Sequence, residues 1–154
     1  MEERPDSAQT ELRGFQRVSR NLAPSWFAAV MGTGIFAVTS KYYSCYWSWL
    51  NNAAACLWAI NIILFLVLLI PWIARWFLFT EDSLRDLNHP VTGQFYATMP
   101  IGCLVLAVGF LVVGTDLMNV DLAVGIAKVC WVSGAVLALL FAVVTPLLNF
   151  LNKV

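Results

Sequence analysis

The sequence predicts an all-α integral membrane protein with four transmembrane helices. Of its 154 residues, 60% are hydrophobic and only 12% are charged, which is about half the charged share of an ordinary soluble domain. Four apolar runs (22–43, 52–79, 89–114 and 121–151) each reach or exceed the ~20 residues that cross a bilayer as a helix. Because the connections between them are short, we expect two antiparallel helical hairpins.

The composition also argues against several classes of function. The net charge is zero, which leaves no basic surface for nucleic acid. The cysteines are scattered without a C-x-x-C pair, at Cys45, Cys56, Cys103 and Cys130. With a single histidine, neither a metal site nor a bis-imidazole haem site is expected within one chain. We therefore expect no cofactor and no enzymatic activity.

Residues 1–21 form a charged lead before the first apolar run. After a polar start, apolar and basic residues recur at helical spacing on opposite faces: Leu12, Phe15 and Val18 against Arg13, Arg17 and Arg20. This pattern is typical of a short helix lying on a membrane surface. A disordered basic tail that only sets the topology is the alternative. The membrane domain then covers residues 22–154.

Lysines and arginines near the ends of the runs predict the orientation in the cell membrane. One side carries seven of them: Arg4, Arg13, Arg17, Arg20, Arg75, Arg85 and Lys153. The other side has Lys41, with Lys128 at the head of the fourth run. Because basic residues collect on the cytoplasmic side, both termini should be cytoplasmic, and the loops Tyr42–Asn51 and Thr115–Val120 should lie outside. Residues 80–89 are expected to be a solvated connector, with Asn88 a candidate cap for the next helix.

The third run opens on residues that a simple membrane anchor does not need. The stretch 89–102 holds the only histidine, two prolines, two glycines and several hydroxyls. Pro90 and Pro100 lack a backbone donor, so carbonyl groups are left free that must find protein or water partners in a membrane. A broken entrance of this kind is typical of a helix that lines a cavity or a helix interface. It favours transport over anchoring.

The first run contains Gly32 and Gly34, which both cost helix stability relative to alanine. One hypothesis is close packing of two helices through Ala28, Ala29, Gly32 and the Thr33 hydroxyl. The other is that the glycines widen a pore and offer polar backbone to an ion. The two are compatible, because one face of a helix can pack while the other lines a path.

Two motifs carry a family resemblance. The sequence Pro-Ser-Trp-Phe…Met-Gly-Thr-Gly-Ile of residues 24–35, followed by His-Pro-Val…Phe…Met-Pro-Ile-Gly of residues 89–102, resembles the tellurite-resistance/dicarboxylate transporter family. That family includes malic-acid transporters, sulfite efflux pumps and plant slow anion channels. The resemblance implies part of a ring of ten helices in five hairpins. Odd helices line the pore, even helices pack outside, and the protein is often a homotrimer.

The resemblance further implies transmembrane transport of a small anion, such as the C4-dicarboxylate malate. The candidates for its path are Ser25, Gly32, Thr33, Gly34, His89, Thr92, Thr98, Pro100 and Gly102. Apart from Lys41 at its far end, neither odd run contains a charged residue. An anion would therefore be stabilised by backbone amides, hydroxyls and helix dipoles. His89 is either a proton carrier for coupled transport or a residue that only begins a helix at the interface.

The sequence ends after four of the family's ten spans. We expect a piece of a longer transporter or a short product that needs partners. The competing hypothesis is a non-transporting, truncated or regulatory fragment that associates with full-length family members. A third is a small four-helix exporter working as a dimer. The absence of acidic residues from the first run argues against a proton-coupled version of that exporter.

Overall fold

The structure is a computed structural model that describes residues 14–87 and 92–151. Within these residues it is helical throughout, with no strand. The α-helices are α1 (Gly14–Asn21), α2 (Phe27–Tyr43), α3 (Trp49–Leu78), α4 (Thr80–Leu87), α5 (Thr98–Gly109), α6 (Thr115–Leu117) and α7 (Val120–Leu151). Short 3₁₀-helices precede α2 at Pro24–Trp26 and α5 at Gly93–Ala97, and a π-helix at Phe110–Gly114 joins α5 to α6.

Among the residues that the structure describes, three helical segments are long and apolar enough to cross a membrane: Trp49–Leu78, Gly93–Leu117 and Val120–Leu148. They correspond to the second, third and fourth predicted runs, so the prediction of an all-helical membrane protein is confirmed. The helix of the first run, α2, has 17 residues, which is the lower end of the usual range for a span. A fourth span over 22–43 remains a prediction.

The third of the predicted spans lies at the centre of the described helices. α5 packs against α2 and α7, and α2 also packs against α3. In their most apolar windows, 56% of Gly93–Leu117 is buried, against 28% of Trp49–Leu78 and 17% of Val120–Leu148. Neighbours in sequence thus contact each other, as the predicted hairpins require, and α3 and α7 lie outside. The hairpin arrangement in a bilayer stays a prediction.

The outward surfaces of the two outer helices consist mainly of bulky apolar side chains, although Gly125, Lys128 and Ser133 of α7 are exposed as well. On α3 the bulky side chains include Ile60, Ile63, Val67 and Ile70, and on α7 they include Val129, Val132, Val136, Leu139 and Val143. A continuous surface of this kind is unfavourable in water but suits contact with lipid chains. It accounts for the small buried share of these two helices.

The region between the second and third runs is helical in the part that the structure describes. Residues 80–87 form α4, which connects the two runs with most of its residues at least partly exposed and with Ser83 and Leu87 buried. Glu81 and Asp82 lie in its first turn, where acidic side chains favour the positive end of the helix dipole. α4 has only two turns, and a sequence of that length is too short to distinguish an amphipathic helix from a loop. Asn88 lies outside the described residues.

The charged lead is helical where the structure describes it. Residues 14–21 form α1, so the alternative of a disordered tail is wrong for this part. Arg20 pairs with Asp82 of α4 at 2.8 Å, which anchors α1 to the bundle. That α1 lies on a membrane surface remains a prediction, and residues 1–13 are outside the described range.

Candidate functional site

One side of α2 is left uncovered by the helices that the structure describes. We call it the open face, and its exposed residues are Ala28, Ala29, Gly32, Ile35, Phe36 and Thr39. Gly32 lies near the middle of this face, and a Cβ atom added there would meet nothing within 4 Å. Close packing between described helices therefore does not explain Gly32.

The open face differs in composition from the surfaces of α3 and α7. Its half nearest the start of α2 holds only small residues, Ala28, Ala29 and Gly32, and Thr39 adds a hydroxyl further along. The outward side of α3 instead carries residues such as Ile63 and Val67. Small residues at a membrane helix surface allow another helix or a solvated path to come close to the backbone. The surroundings of α2 on its open face are therefore expected to differ chemically from the surroundings of α3.

Gly34 lies on the opposite side of α2, at the junction of α2, α3 and α5. A Cβ atom at this position would lie 2.7 Å from Asn61 Nδ2 of α3 and would collide with the Val105 side chain of α5. Both contacts are closer than real Cβ atoms make. Close packing therefore explains Gly34, which the packing hypothesis did not include, whereas Gly32, which it did include, has no described neighbour.

Thr33 and Asn61 form a polar pair between α2 and α3. The Thr33 hydroxyl has three acceptors for its single hydrogen: Asn61 Oδ1 at 2.6 Å and the carbonyl oxygens of Ala29 at 2.8 Å and Val30 at 3.3 Å. Asn61 is 1% exposed and lies well inside α3. Sequence reasoning missed it, although it is the single amide within the apolar residues 53–70. A polar residue inside a span is a signal for function by default.

The two central helices are joined where they begin. The Thr98 hydroxyl lies 2.7 Å from the Pro24 carbonyl oxygen and 2.6 Å from that of Phe95. Pro24 is buried at the first position of its 3₁₀-helix, and Ser25 follows it half-buried. Because proline fixes φ, the turn before α2 is preorganised. The Thr98 hydroxyl thus fixes the position of α5 along the bundle relative to α2.

Other predicted path residues make internal contacts at the same end. The Thr92 hydroxyl donates to the Asp86 carbonyl oxygen at 2.8 Å. A Cβ atom on Gly93 would lie 3.2 Å from the Leu87 carbonyl carbon and closer to its oxygen, so glycine permits this crossing of the chain. His89 and Pro90 lie outside the described residues.

Pro100 and Gly102 are buried within α5 rather than exposed beside a path. Pro100 lies in the first turn of α5, where a missing donor costs no helical hydrogen bond. Its carbonyl oxygen would be 2.9 Å from a Cβ atom on Gly134 of α7. A Cβ atom on Gly102 would be 3.7 Å from both Phe65 and Val30. These two residues serve the contacts of α5 with its neighbours.

Each end of the bundle is held by ion pairs. Arg75 is 5% exposed, donates to the Leu22 carbonyl oxygen at 2.6 Å and forms an ion pair with Asp86. At the other end, Lys41 pairs with Asp116 and lies 2.5 Å from Asn51 Oδ1. The sequence used these basic residues only to predict orientation. The structure adds that Arg75 joins three segments.

The π-helix marks an irregular part of the central span. Trp58 of α3 packs against it, with ring centroids 5.2 Å from Phe110 in an edge-on arrangement. A Cβ atom on Gly109 would be 2.9 Å from Trp58 Cδ1. The buried Trp58 Nε1 finds no acceptor in the described part of the chain. π-helical turns are frequent at functional sites, and nothing in the sequence pattern indicated this one.

Comparison with known proteins identifies the family. Residues 21–153 match the family model described as SLAC1, voltage-dependent anion channel. Two uncharacterized transporters of Methanocaldococcus jannaschii are 41% and 38% identical, over 88% and 90% of this chain. A sulfite efflux pump of Arthroderma otae is 33% identical over 53% of the chain. No solved structure matches at a significant level.

The matches cover part of each relative. The chain spans 37% and 38% of the length of the two archaeal transporters and 22% of the sulfite pump. The family model nevertheless covers almost the whole membrane part of the chain. The resemblance carried by residues 24–35 and 89–102 is confirmed, and the named relatives are transporters and efflux pumps. This chain is a member of the SLAC1 voltage-dependent anion channel family.

Proposed function

We propose that α2 and α5 contribute to a path that carries a small anion across the cell membrane. The observation that carries the proposal is the open face around Gly32, which is uncharged and whose half nearest the start of α2 holds only small residues, beside two helices with mainly bulky apolar surfaces. Membership of an anion channel family supports the same conclusion. By the family pattern, α3 and α7 face lipid or neighbouring protein.

An anion on this path meets weak partners. The open face carries no ionised side chain, and a fixed charge within the membrane would bind an ion too tightly for easy release. Hydroxyl and backbone groups, with Thr39 exposed on the face, offer weaker stabilisation. In this proposal the mouth of the path lies at the Arg75 end and includes Ser25, Thr92 and Thr98.

The finer features of the proposal come from the family and from its relatives. The substrate class includes C4-dicarboxylates such as malate, and sulfite is the cargo in the name of one relative. The assembly is a homotrimer by family resemblance. Both termini face the cytoplasm, because the arginine-rich segments lie at that side.

Liposome flux tests the proposal. The reconstituted protein should release malate, sulfite or chloride faster than empty liposomes do. Gly32→Asp should abolish the release, because it places an unpaired charge on the path. Ile63→Ala, on the outward side of α3, is the control and should leave the release unchanged. Equal release from the wild type and Gly32→Asp would remove the open face from the path.

A regulatory role remains the second candidate function, because an uncovered helix face also suits contact with helices of another family member. The molecular mass of the detergent-solubilised protein distinguishes the two. A homo-oligomer that conducts anions supports the path. A protein that conducts nothing alone, and that co-purifies with a second family member expressed beside it, supports regulation.

A further inference from the structure

We propose that Asn61 is a positioning residue for the anion path, although it belongs to the outer helix α3. It acts through Thr33, whose hydroxyl it holds turned away from the open face, and in this way it influences which anions pass. This inference rests on the proposed function, because it takes the open face to be the wall of the path.

Burial forces Asn61 to find a partner. The side chain is 1% exposed among apolar residues of α3, and an amide without hydrogen bonds in such surroundings costs several kcal/mol. The partner is the Thr33 hydroxyl, 2.6 Å from Asn61 Oδ1. The backbone of α2 is shaped for this contact, because Gly34 leaves room where a Cβ atom would lie 2.7 Å from Asn61 Nδ2.

The position of Thr33 connects this pair to the path. Thr33 is half-buried and lies at the edge of the open face, between Ala29 and Gly32 on one side and the junction with α3 on the other. Its single hydrogen is directed to Asn61 Oδ1 or to the carbonyl oxygens of Ala29 and Val30. At this level the open face therefore offers no hydroxyl donor to a passing anion.

The absence of that donor has a consequence for selectivity. Where a path supplies few hydrogen-bond donors, the cost of removing water from the ion dominates, and weakly hydrated anions such as nitrate pass more easily than chloride. Without Asn61, the Thr33 hydroxyl loses its nearest acceptor and keeps only the Ala29 and Val30 carbonyl oxygens of its own helix, so we expect it to turn toward the path for part of the time. It would then stabilise chloride more than nitrate.

A double-mutant cycle on the reconstituted protein tests this inference through the ratio of nitrate flux to chloride flux. Asn61→Leu should lower the ratio by about threefold, equivalent to the ~0.6 kcal/mol of a typical hydrogen bond between membrane helices. Thr33→Val alone should leave the ratio unchanged, because the hydroxyl is already hidden. Asn61→Leu combined with Thr33→Val should restore the wild-type ratio.

Phe65→Leu is the matched control, because Phe65 lies one turn further along the same buried side of α3. It should reduce the amount of folded protein without changing the ratio. If Asn61→Leu does not assemble, Asn61→Ala carries the same expectation.

The inference is overturned if Thr33→Val shifts the ratio as Asn61→Leu does, if the double variant keeps the shift, or if Phe65→Leu produces the same shift. An unchanged ratio in Asn61→Leu overturns it as well, while wild-type flux still supports the path. A wild type without any anion flux contradicts the proposed function itself.

Discussion

The Thr98 hydroxyl lies 2.7 Å from the Pro24 carbonyl oxygen, although the two residues are 74 positions apart in the sequence. The contact joins the first turns of the two central helices, α2 and α5. Both motifs that indicated the family contain one of these residues. Their shared role in the structure is therefore to align the entrances of the two helices.

Replacing Thr98 by valine should loosen this alignment. The substitution keeps the side-chain volume and removes the hydroxyl, so the free energy of unfolding should fall by about 1 kcal/mol, the net value of one hydrogen bond. Thr98→Ser keeps the hydroxyl and should retain most of the stability. Unfolding in detergent, followed by tryptophan fluorescence, measures both variants. Equal losses for serine and valine would contradict a role for the hydroxyl.

Arg75 should be a major contributor to stability at its end of the bundle. Arg75→Met removes the bond to the Leu22 carbonyl oxygen and leaves Asp86 without its ion-pair partner. Because Asp86 is partly exposed, water compensates in part, and we expect a loss of about 2 kcal/mol rather than the larger cost of a fully buried pair. Arg85→Met, on the exposed side of α4, is the control and should change little. Similar stability of the two variants would contradict the assignment.

The two glycines of α2 should respond oppositely to alanine. Gly34→Ala introduces a methyl group against Asn61 and Val105, and overpacking of this kind costs about 1–3 kcal/mol. Gly32→Ala meets open space and should be neutral or slightly stabilising, because alanine favours the helix. Thermal unfolding of the two variants in the same detergent makes the comparison. Equal destabilisation would show that the open face is packed against protein.

The predicted topology can be tested with a native cysteine. Cys45 is exposed in the loop between α2 and α3, and a membrane-impermeant thiol reagent added to intact cells should modify it. A Cys45→Ser variant supplies the background, and tags at both termini should remain protected until the cells are opened. A carboxy-terminal tag that is accessible from outside would contradict the orientation.

Hydropathy predicted the large features of the fold. The long apolar runs predict the ends of α3, of the span Gly93–Leu117 and of α7 to within a few residues. Helices of 25 to 32 residues are long enough for hydropathy to locate them clearly. The two-turn helix α4 was missed, since the contacts that hold it are with distant residues: Arg20 and Arg75 pair with its acidic residues, and Leu87 packs in a hydrophobic cluster. Such contacts join distant segments and leave no local pattern.

The candidate path residues fall into two groups in the structure. Gly32 lies on an uncovered surface as a path residue should, whereas Gly34, Pro100 and Gly102 make internal contacts. Sequence alone could not separate the two roles, because a glycine that admits a neighbour and one that faces open space look the same. Asn61 was not among the predicted residues, since the family resemblance indicates the odd helices as the lining of the path, yet it contacts the candidate residue Thr33.

The accessibility of α2 to water is the central claim, and single cysteines test it most directly. Ala29, Gly32 and Phe36 would each be replaced by cysteine in a protein whose native cysteines are removed, with Ile63→Cys and Val67→Cys on α3 as lipid-facing controls. Reagents of opposite charge would be compared in native membranes. We expect the cysteine thiols at the three open-face positions to react, faster with the anionic reagent, and those at positions 63 and 67 not to react. Protection of Gly32→Cys to the same degree as Ile63→Cys would contradict it.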